Sequence, residues 1–251
     1  MNTKLIILTT AITRGGLHKK TIGAFYRLFY KNLIDFEIYH IINIDLPNKL
    51  KNVFTIQDTK DLFNEIIPDK VNKIFVIDNN PPGFGQAFKN VLKVVSDREL
   101  LNDNTLVWWL EDDWEVIHDY NFIPLIKILL TSGNNALNMT NNAPLCSFRG
   151  GPIMNSGFFK TYFDIHKHYD INCDPEKKVG KLIRCNRIIE EYDSIYIICI
   201  FIKSLIQPPY DMYYSCPWYY NKKFNTTRFK QHSGLKYVLG ILENTDSSKI
   251  C

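Results

Sequence analysis

The sequence has no hydrophobic run long enough to cross a membrane. Its longest late apolar run, residues 195–202, is far below the ~20 residues that a membrane helix needs, and residues 5–8 are the only apolar core near its start. No small-residue cleavage signature follows that core. We therefore predict a chain without a signal peptide or a transmembrane segment, located in the cytoplasm.

Basic clusters, paired cysteines and phosphate-binding glycine motifs are missing as well. The formal net charge is only +4, and without a basic cluster it predicts no binding to nucleic acid. The six cysteines form no CxxC pair, so neither a zinc site nor a redox motif is indicated. A GxG pattern begins at Gly83, but Phe88 takes the place of the third glycine, and no P-loop sequence occurs.

What the sequence does contain indicates one α/β domain. Hydrophobic residues make up 45% and charged residues 22% of the 251 residues, as in ordinary globular proteins. Strand-like and helix-like segments alternate over the first half, which predicts a mostly parallel central sheet with helices on both faces. We assign residues 1–240 to this domain and residues 241–251 to a polar C-terminal tail.

The most informative stretch reads TLVWWLEDDWE and begins at Thr105. The uninterrupted apolar run at residues 105–110 suits a strand buried on both faces of a parallel sheet. Three carboxylates, Glu111, Asp112 and Asp113, follow it directly. Adjacent acids repel one another, so a divalent cation that also binds phosphate oxygens is expected there. In an extended chain Glu111 and Asp113 point to one side and Asp112 points to the other.

A second interpretation of these acids is a solvated surface turn. Three tryptophans flank the acids and favour a cleft instead, because large aromatic side chains beside acids are typical of binding clefts. They are Trp108, Trp109 and Trp114.

Three earlier segments are predicted to be strands of the same sheet, each followed by a polar loop. They are residues 4–10, 36–44 and 73–77, with helices expected at about 18–32, 58–67 and 84–95. Ligands of such sheets bind outside the carboxyl ends of the strands, so these loops and the acidic stretch should line one cleft. The candidate ligand-binding residues of the loops are Thr10, Arg14, Asp45, Asp78 and Asn79.

Two of these candidates have an alternative explanation. Arg14 either grips a diphosphate or a base with its guanidinium, or is an ordinary exposed arginine. Asp45 either meets a ribose hydroxyl or base edge, or caps the turn that follows its strand.

The second half begins with a helix predicted at 120–130, a short strand at 136–140 and a loop at 148–152. The glycines of this loop, which contains Arg149 and Gly151, would allow a ligand to approach the backbone closely. An aromatic helix is expected at 158–169, and its aromatic side chains are predicted to lie in the core. They are Phe158, Phe159, Tyr162 and Phe163.

Three further polar residues of the second half are candidates for chemistry. Asp174 and Glu176 lie in a polar segment where helix capping explains them adequately, with a catalytic base as the alternative. His232 falls in a basic, aromatic segment that either folds over the cleft and holds phosphate or forms a solvated face.

Taken together, these motifs resemble the GT-A glycosyltransferases, in particular the family 2-like members that use nucleotide-diphosphate sugars. The matching features are the LIILTT opening strand, the Gly83, Ala87 and Asn90 positions, and WWLEDDW, which stands where that family carries its DxD motif. The resemblance covers roughly the first two-thirds of the chain. It implies a nucleotide-sugar-binding half at about residues 1–115 and an acceptor-binding half at about 116–240.

The resemblance also implies roles for individual residues. Asp113 would coordinate Mn²⁺ or Mg²⁺, with His232 as a further ligand, and Glu111 or Asp112 would contact the ribose, the sugar or a metal-bound water. Asp174 or Glu176 would be the catalytic base. The acceptor would meet three residues that follow the acids along the chain, namely Trp114, Arg149 and Gly151.

The predicted function is therefore metal-dependent transfer of a sugar from a UDP- or GDP-type donor to a glycan or protein acceptor. A sugar-1-phosphate nucleotidyltransferase is an alternative, although the glycine-rich loop of that class is missing at residues 10–16. A non-catalytic carbohydrate-binding module, or an inactive copy that serves as a partner subunit, are the others. The sequence leaves the oligomeric state open.

Overall fold

The computed structural model describes residues 3–13, 16–46, 54–113, 115–116, 123, 126, 129–130, 136–138, 153–163, 175, 179, 197–199 and 206–207. The strands are β1 (Lys4–Ile12), β2 (Glu37–Asp45), β3 (Asn72–Val76), β4 (Thr105–Trp109), β5 (Glu115–Val116), β6 (Ala136–Asn138), β7 (Ile153–Asn155), β8 (Ile197–Cys199) and β9 (Ile206–Gln207). The helices are α1 (Leu17–Lys20), α2 (Ile22–Phe29), α3 (Ile56–Ile66), α4 (Phe84–Asp97) and α5 (Ser156–Tyr162), with a 3₁₀ turn at Tyr30–Asn32.

The strands form a mixed, mostly parallel sheet. Its order is β3-β2-β1-β4-β7-β6-β8, and β5 pairs separately with β9. The first four strands of that order are mutually parallel, β7 runs antiparallel to both β4 and β6, and β8 is parallel to β6. Parallel neighbours need a crossover connection, and α2, α3 and α4 occupy those connections. The predicted α/β class with a mostly parallel central sheet is confirmed.

Alternation along the strands builds one core on each face of the sheet. In β1, Leu5 and Ile7 pack with the α2 and α3 side, whereas Ile6 and Leu8 pack with the α4 and α5 side. This follows from the two-residue period of a strand, which sends successive side chains to opposite faces. The apolar run of β4 is buried throughout for the same reason, because helices cover both of its faces.

The two tryptophans of β4 belong to these cores and not to a cleft. Trp108 packs edge-on against Phe25 of α2, with ring centroids 4.8 Å apart, and Trp109 contacts Phe88 of α4 at 4.8 Å. Both side chains are fully buried. The use of Trp108 and Trp109 as indicators of a cleft is therefore wrong. The strand pattern that predicted their burial is the stronger signal.

Helix boundaries differ from the sequence prediction in two places. The helix expected at 18–32 is divided into α1 and α2 at Thr21, whose ψ of −80° departs from helical geometry. The aromatic helix begins earlier than expected, because the Asn155 side chain caps it by accepting from the Phe158 N–H at 3.0 Å. Its aromatic side chains lie in the core as predicted. In the part of the chain that is described, no helix is long and apolar enough to span a membrane.

Candidate functional site

The carboxyl ends of four parallel strands place the predicted loop residues along one edge of the sheet. Thr10 of β1 is in register with Asn43 of β2, and Ile12 is in register with Asp45. The acidic segment follows the end of β4, which pairs with the other side of β1. Because these ends are adjacent, the segments that carry Thr10, Asp45 and the acids converge, as the sheet order requires.

The acidic segment turns at its second and third acids instead of staying extended. β4 ends at Trp109, and Asp112 and Asp113 lie in a turn. The simple alternation predicted for Glu111, Asp112 and Asp113 therefore does not apply. Glu111 is half-buried, whereas Asp112 and Asp113 are 4% and 9% exposed. A turn this deeply buried differs from the solvated surface turn considered as an alternative.

Asp112 points into the protein and is held there by β1 and α1. Its Oδ2 accepts from the backbone N–H of Ile12 at 3.1 Å and lies 3.2 Å from Nε2 of His18. Its carbonyl oxygen accepts from the Thr21 hydroxyl at 2.7 Å. A carboxylate can only accept, so His18 carries a proton on Nε2. These contacts fasten the middle of the acidic turn to the first strand and its helix.

A second chain of buried hydrogen bonds fixes the residue before the acids. The Thr9 hydroxyl donates to the carbonyl oxygen of Leu110 at 2.7 Å. With that hydrogen used, Thr9 Oγ1 accepts from Nε2–H of His40 at 2.9 Å, and Nδ1 of His40 accepts from the Tyr26 hydroxyl at 2.8 Å. Burial lowers the pKa of His40 to about 3 and raises that of Tyr26 well above its usual value. The relay is therefore built from neutral groups.

Asp45 and Asn79 support the loop between β3 and α4. Oδ2 of Asp45 accepts from the Gly83 N–H at 2.7 Å, and Asn79 donates to the carbonyl oxygen of Ile44 at 2.8 Å. Gly83 has a φ of 137° and a ψ of 164°, a backbone region that is essentially restricted to glycine. The contact between Asp45 and Gly83 is a turn-holding role. Asp78 is exposed at the same loop, and Thr10 is half-buried.

Asn90 on α4 organises this loop from below. Its amide nitrogen lies within hydrogen-bond distance of Asn43 Oδ1, the Asp78 carbonyl and Asn79 Oδ1, at 3.1, 2.8 and 3.0 Å. Gln86 in turn donates to Asn90 Oδ1 at 2.7 Å. The notebook of polar contacts around Asn90 therefore links β2, the loop and α4.

Asn90→Ala should destabilise the protein by about 1–3 kcal/mol, because it leaves partly buried acceptors unsatisfied. Urea unfolding measures the change. Lys93→Ala on the same helix is the matched control. It removes only an exposed pair with Asp97 and should cost less than about 0.5 kcal/mol. Equal stability of the two variants would contradict the role given to Asn90.

Several predicted site residues lie outside the described part of the chain. They are Arg14, Trp114, Arg149, Gly151, Asp174, Glu176 and His232. Their roles stay predictions. Sequence reasoning in turn missed the buried residues that hold the acidic turn, chiefly His18 and His40. His40 had one available signal, a polar residue within an otherwise apolar part of β2. His18, just after a loop, had none.

The described residues fit a metal ion only if the ligand supplies part of its coordination. Among them, no group of three or more His, Cys, Asp or Glu side chains is placed to hold a metal by itself. Mg²⁺ is commonly bound by one or two carboxylates together with substrate phosphates. Asp113 and Glu111, on either side of the inward-held Asp112, match that smaller requirement.

No protein-family model and no curated protein matches the chain. Similar solved structures include 4-diphosphocytidyl-2C-methyl-D-erythritol synthase from Anaerococcus prevotii, at 8% identity and a TM-score of 0.43, covering 78% of this chain and 89% of that one. A candidate glucose-1-phosphate thymidylyltransferase from Bacillus anthracis has 11% identity and a TM-score of 0.42, covering 78% and 86%. A candidate nucleotide-diphospho-sugar transferase from Desulfovibrio desulfuricans has 11% identity and a TM-score of 0.39, covering 96% and 95%. Likeness at this level carries no argument about activity.

Proposed function

We propose that the chain is a glycosyltransferase that uses a nucleotide-diphosphate sugar and a divalent metal ion. The observation that carries the proposal is the acidic turn docked beside the carboxyl end of β1, where Oδ2 of Asp112 meets the Ile12 N–H at 3.1 Å. This places Glu111 and Asp113 at the edge where parallel sheets bind nucleotides. The motif resemblance to the GT-A glycosyltransferases supports the same assignment.

Binding of the donor is assigned to the loops along this edge. Asp113 and Glu111 would hold Mn²⁺ or Mg²⁺ together with the donor diphosphate, and Thr10 and Asp78 would contact the nucleotide. The bound metal would neutralise charge on the leaving diphosphate oxygens. We assign Asp45 and Asn79 to the shape of the nucleotide pocket, since their side chains hold the loop before α4.

The proposed reaction is displacement at the anomeric carbon of the sugar. The bond from that carbon to the diphosphate oxygen breaks, a bond to the acceptor hydroxyl oxygen forms, and the hydroxyl proton passes to a carboxylate base. Asp174 and Glu176 are the candidates for that base. Trp114, Arg149, Gly151 and His232 are proposed to contact the acceptor or the phosphates. UDP- and GDP-linked sugars are the proposed donors, and a glycan or protein hydroxyl is the proposed acceptor.

A donor screen tests the proposal. Purified protein is incubated with UDP- and GDP-linked sugars, with Mn²⁺ or with EDTA, and released nucleoside diphosphate is measured. We expect release from at least one donor with Mn²⁺ and at least tenfold less with EDTA. Failure of every donor to bind or react, with or without metal, would contradict the proposal.

The same assay separates the alternatives. A sugar-1-phosphate nucleotidyltransferase would release pyrophosphate from a nucleoside triphosphate and a sugar phosphate, and would leave nucleotide sugars intact in the absence of pyrophosphate. A carbohydrate-binding module would bind glycan in calorimetry without any nucleotide.

A further inference from the structure

The acidic turn is held at two points by buried groups from other elements. On one side the carbonyl oxygen of Leu110 accepts from Thr9, and on the other the carboxylate and the carbonyl of Asp112 are engaged by the segment from Ile12 to Thr21. The backbone that carries Glu111 therefore lies between two fixed positions. The side chain of Asp113 follows directly after the second of them.

His18 is the side chain that holds the second point. It is fully buried, its Nε2 lies 3.2 Å from Oδ2 of Asp112, and its ring packs on Phe63 of α3 with centroids 4.7 Å apart. Both partners of this pair are almost completely removed from water. Such a pair has a defined geometry, because a buried carboxylate without its donor is strongly disfavoured.

We propose that His18 is a positioning residue for the acidic turn and that Asp112 is its anchor rather than a ligand of the metal or the donor. By keeping the Asp112 carboxylate turned toward β1 and α1, His18 presents Asp113 and Glu111 to the donor diphosphate. Groups that orient metal ligands from behind have large effects on metal affinity without touching the ion. This inference rests on the proposed function and assigns different tasks to three adjacent acids.

Two substitutions at His18 separate positioning from simple packing. His18→Phe keeps the ring against Phe63 but removes the donor to Asp112. His18→Gln restores a nitrogen donor of similar reach. We expect His18→Phe to weaken UDP or GDP binding in the presence of Mn²⁺ by about tenfold or more, and His18→Gln to recover binding to within about threefold of the unaltered protein. Circular dichroism and thermal unfolding establish that each variant is folded.

Lys19→Ala is the matched control on the same helix. Lys19 is exposed and pairs only with Glu65 among its printed partners, at 2.9 Å, so its removal should leave binding unchanged. Asp112→Asn, which keeps an acceptor oxygen for the Ile12 N–H and for His18, should weaken binding by less than about tenfold, whereas Asp113→Asn should weaken it far more. Unchanged binding in His18→Phe, or equal losses in Asp112→Asn and Asp113→Asn, would overturn the proposal.

Hydrogen exchange of the nucleotide-free protein tests the anchor independently of activity. In His18→Phe the amides of Ile12 and of residues 110–113 should exchange at least about tenfold faster than in the unaltered protein, and His18→Gln should restore their protection. If the unaltered protein binds no nucleotide with Mn²⁺, the proposed function fails while this measurement still decides the anchor. Equal exchange in His18→Phe and the unaltered protein would overturn it.

Discussion

Asp113→Asn is expected to weaken Mn²⁺-dependent binding of UDP or GDP by about 100-fold or more and to abolish measurable sugar transfer. The substitution preserves the shape of the side chain but removes the negative charge that would hold the metal against the diphosphate. Asp113 is 9% exposed and follows the anchored Asp112. Isothermal titration calorimetry with and without Mn²⁺ measures the loss directly.

Asp103→Asn provides a control with the same change of charge and shape. Asp103 is exposed in the turn that precedes β4, at the amino end of the strand. Its substitution should leave nucleotide binding and turnover unchanged. If Asp113→Asn binds nucleotide as tightly as Asp103→Asn, the metal-binding role of Asp113 is wrong.

Acid should destabilise the protein through His40. Its folded-state pKa is about 3 because burial disfavours the charged ring, whereas an unfolded histidine titrates near 6.5. The unfolded chain therefore binds a proton first as the pH falls. The stability conferred by the neutral ring is complete above about pH 6.5 and is lost progressively down to about pH 3. This one group should cost about 2 kcal/mol between pH 7 and pH 5, and about 3 kcal/mol by pH 4.

Urea unfolding at a series of pH values measures this loss, and His40→Asn identifies its source. The amide cannot titrate in this range, but its oxygen can accept from Tyr26 as Nδ1 of His40 does. The variant should be less stable at pH 7, yet its stability should fall by about 2 kcal/mol less than that of the unaltered protein between pH 7 and pH 5. Parallel pH profiles would show that His40 is not the source.

The acid sensitivity bears on the site because the relay from His40 ends at the acidic turn. Tyr26, His40 and Thr9 connect α2, β2 and β1 to the carbonyl oxygen of Leu110. Protonation of His40 Nδ1 would remove the acceptor that Tyr26 uses. The same event that lowers stability would then loosen one of the two holds on Glu111.

Local sequence patterns were sufficient for the strands of the first half. The strands expected at 36–44 and 73–77 are Glu37–Asp45 and Asn72–Val76 in the structure, each shifted by one residue. Apolar runs of this length bounded by loop residues specify a buried strand through local chemistry alone. The convergence of their carboxyl ends followed from the parallel order, so the site's place could be predicted as well.

The roles of adjacent acids could not be read in the same way. An extended chain would have grouped Glu111 with Asp113 by alternation, but β4 ends at Trp109 and the chain turns. Likewise, the two tryptophans suggested a cleft because their neighbours along the chain are acids. Their actual neighbours are Phe25 and Phe88, contributed by helices on opposite faces.

By itself, then, the sequence determined the α/β class, the strands of its first half and the edge at which the acids gather. Only the tertiary structure decided which acid faces inward. The groups that hold Asp112 are Ile12 and His18, 100 and 94 residues away along the chain. No periodicity or spacing near the acids records these partners, because they meet Asp112 only after β1 and β4 have paired and α1 has packed at their ends.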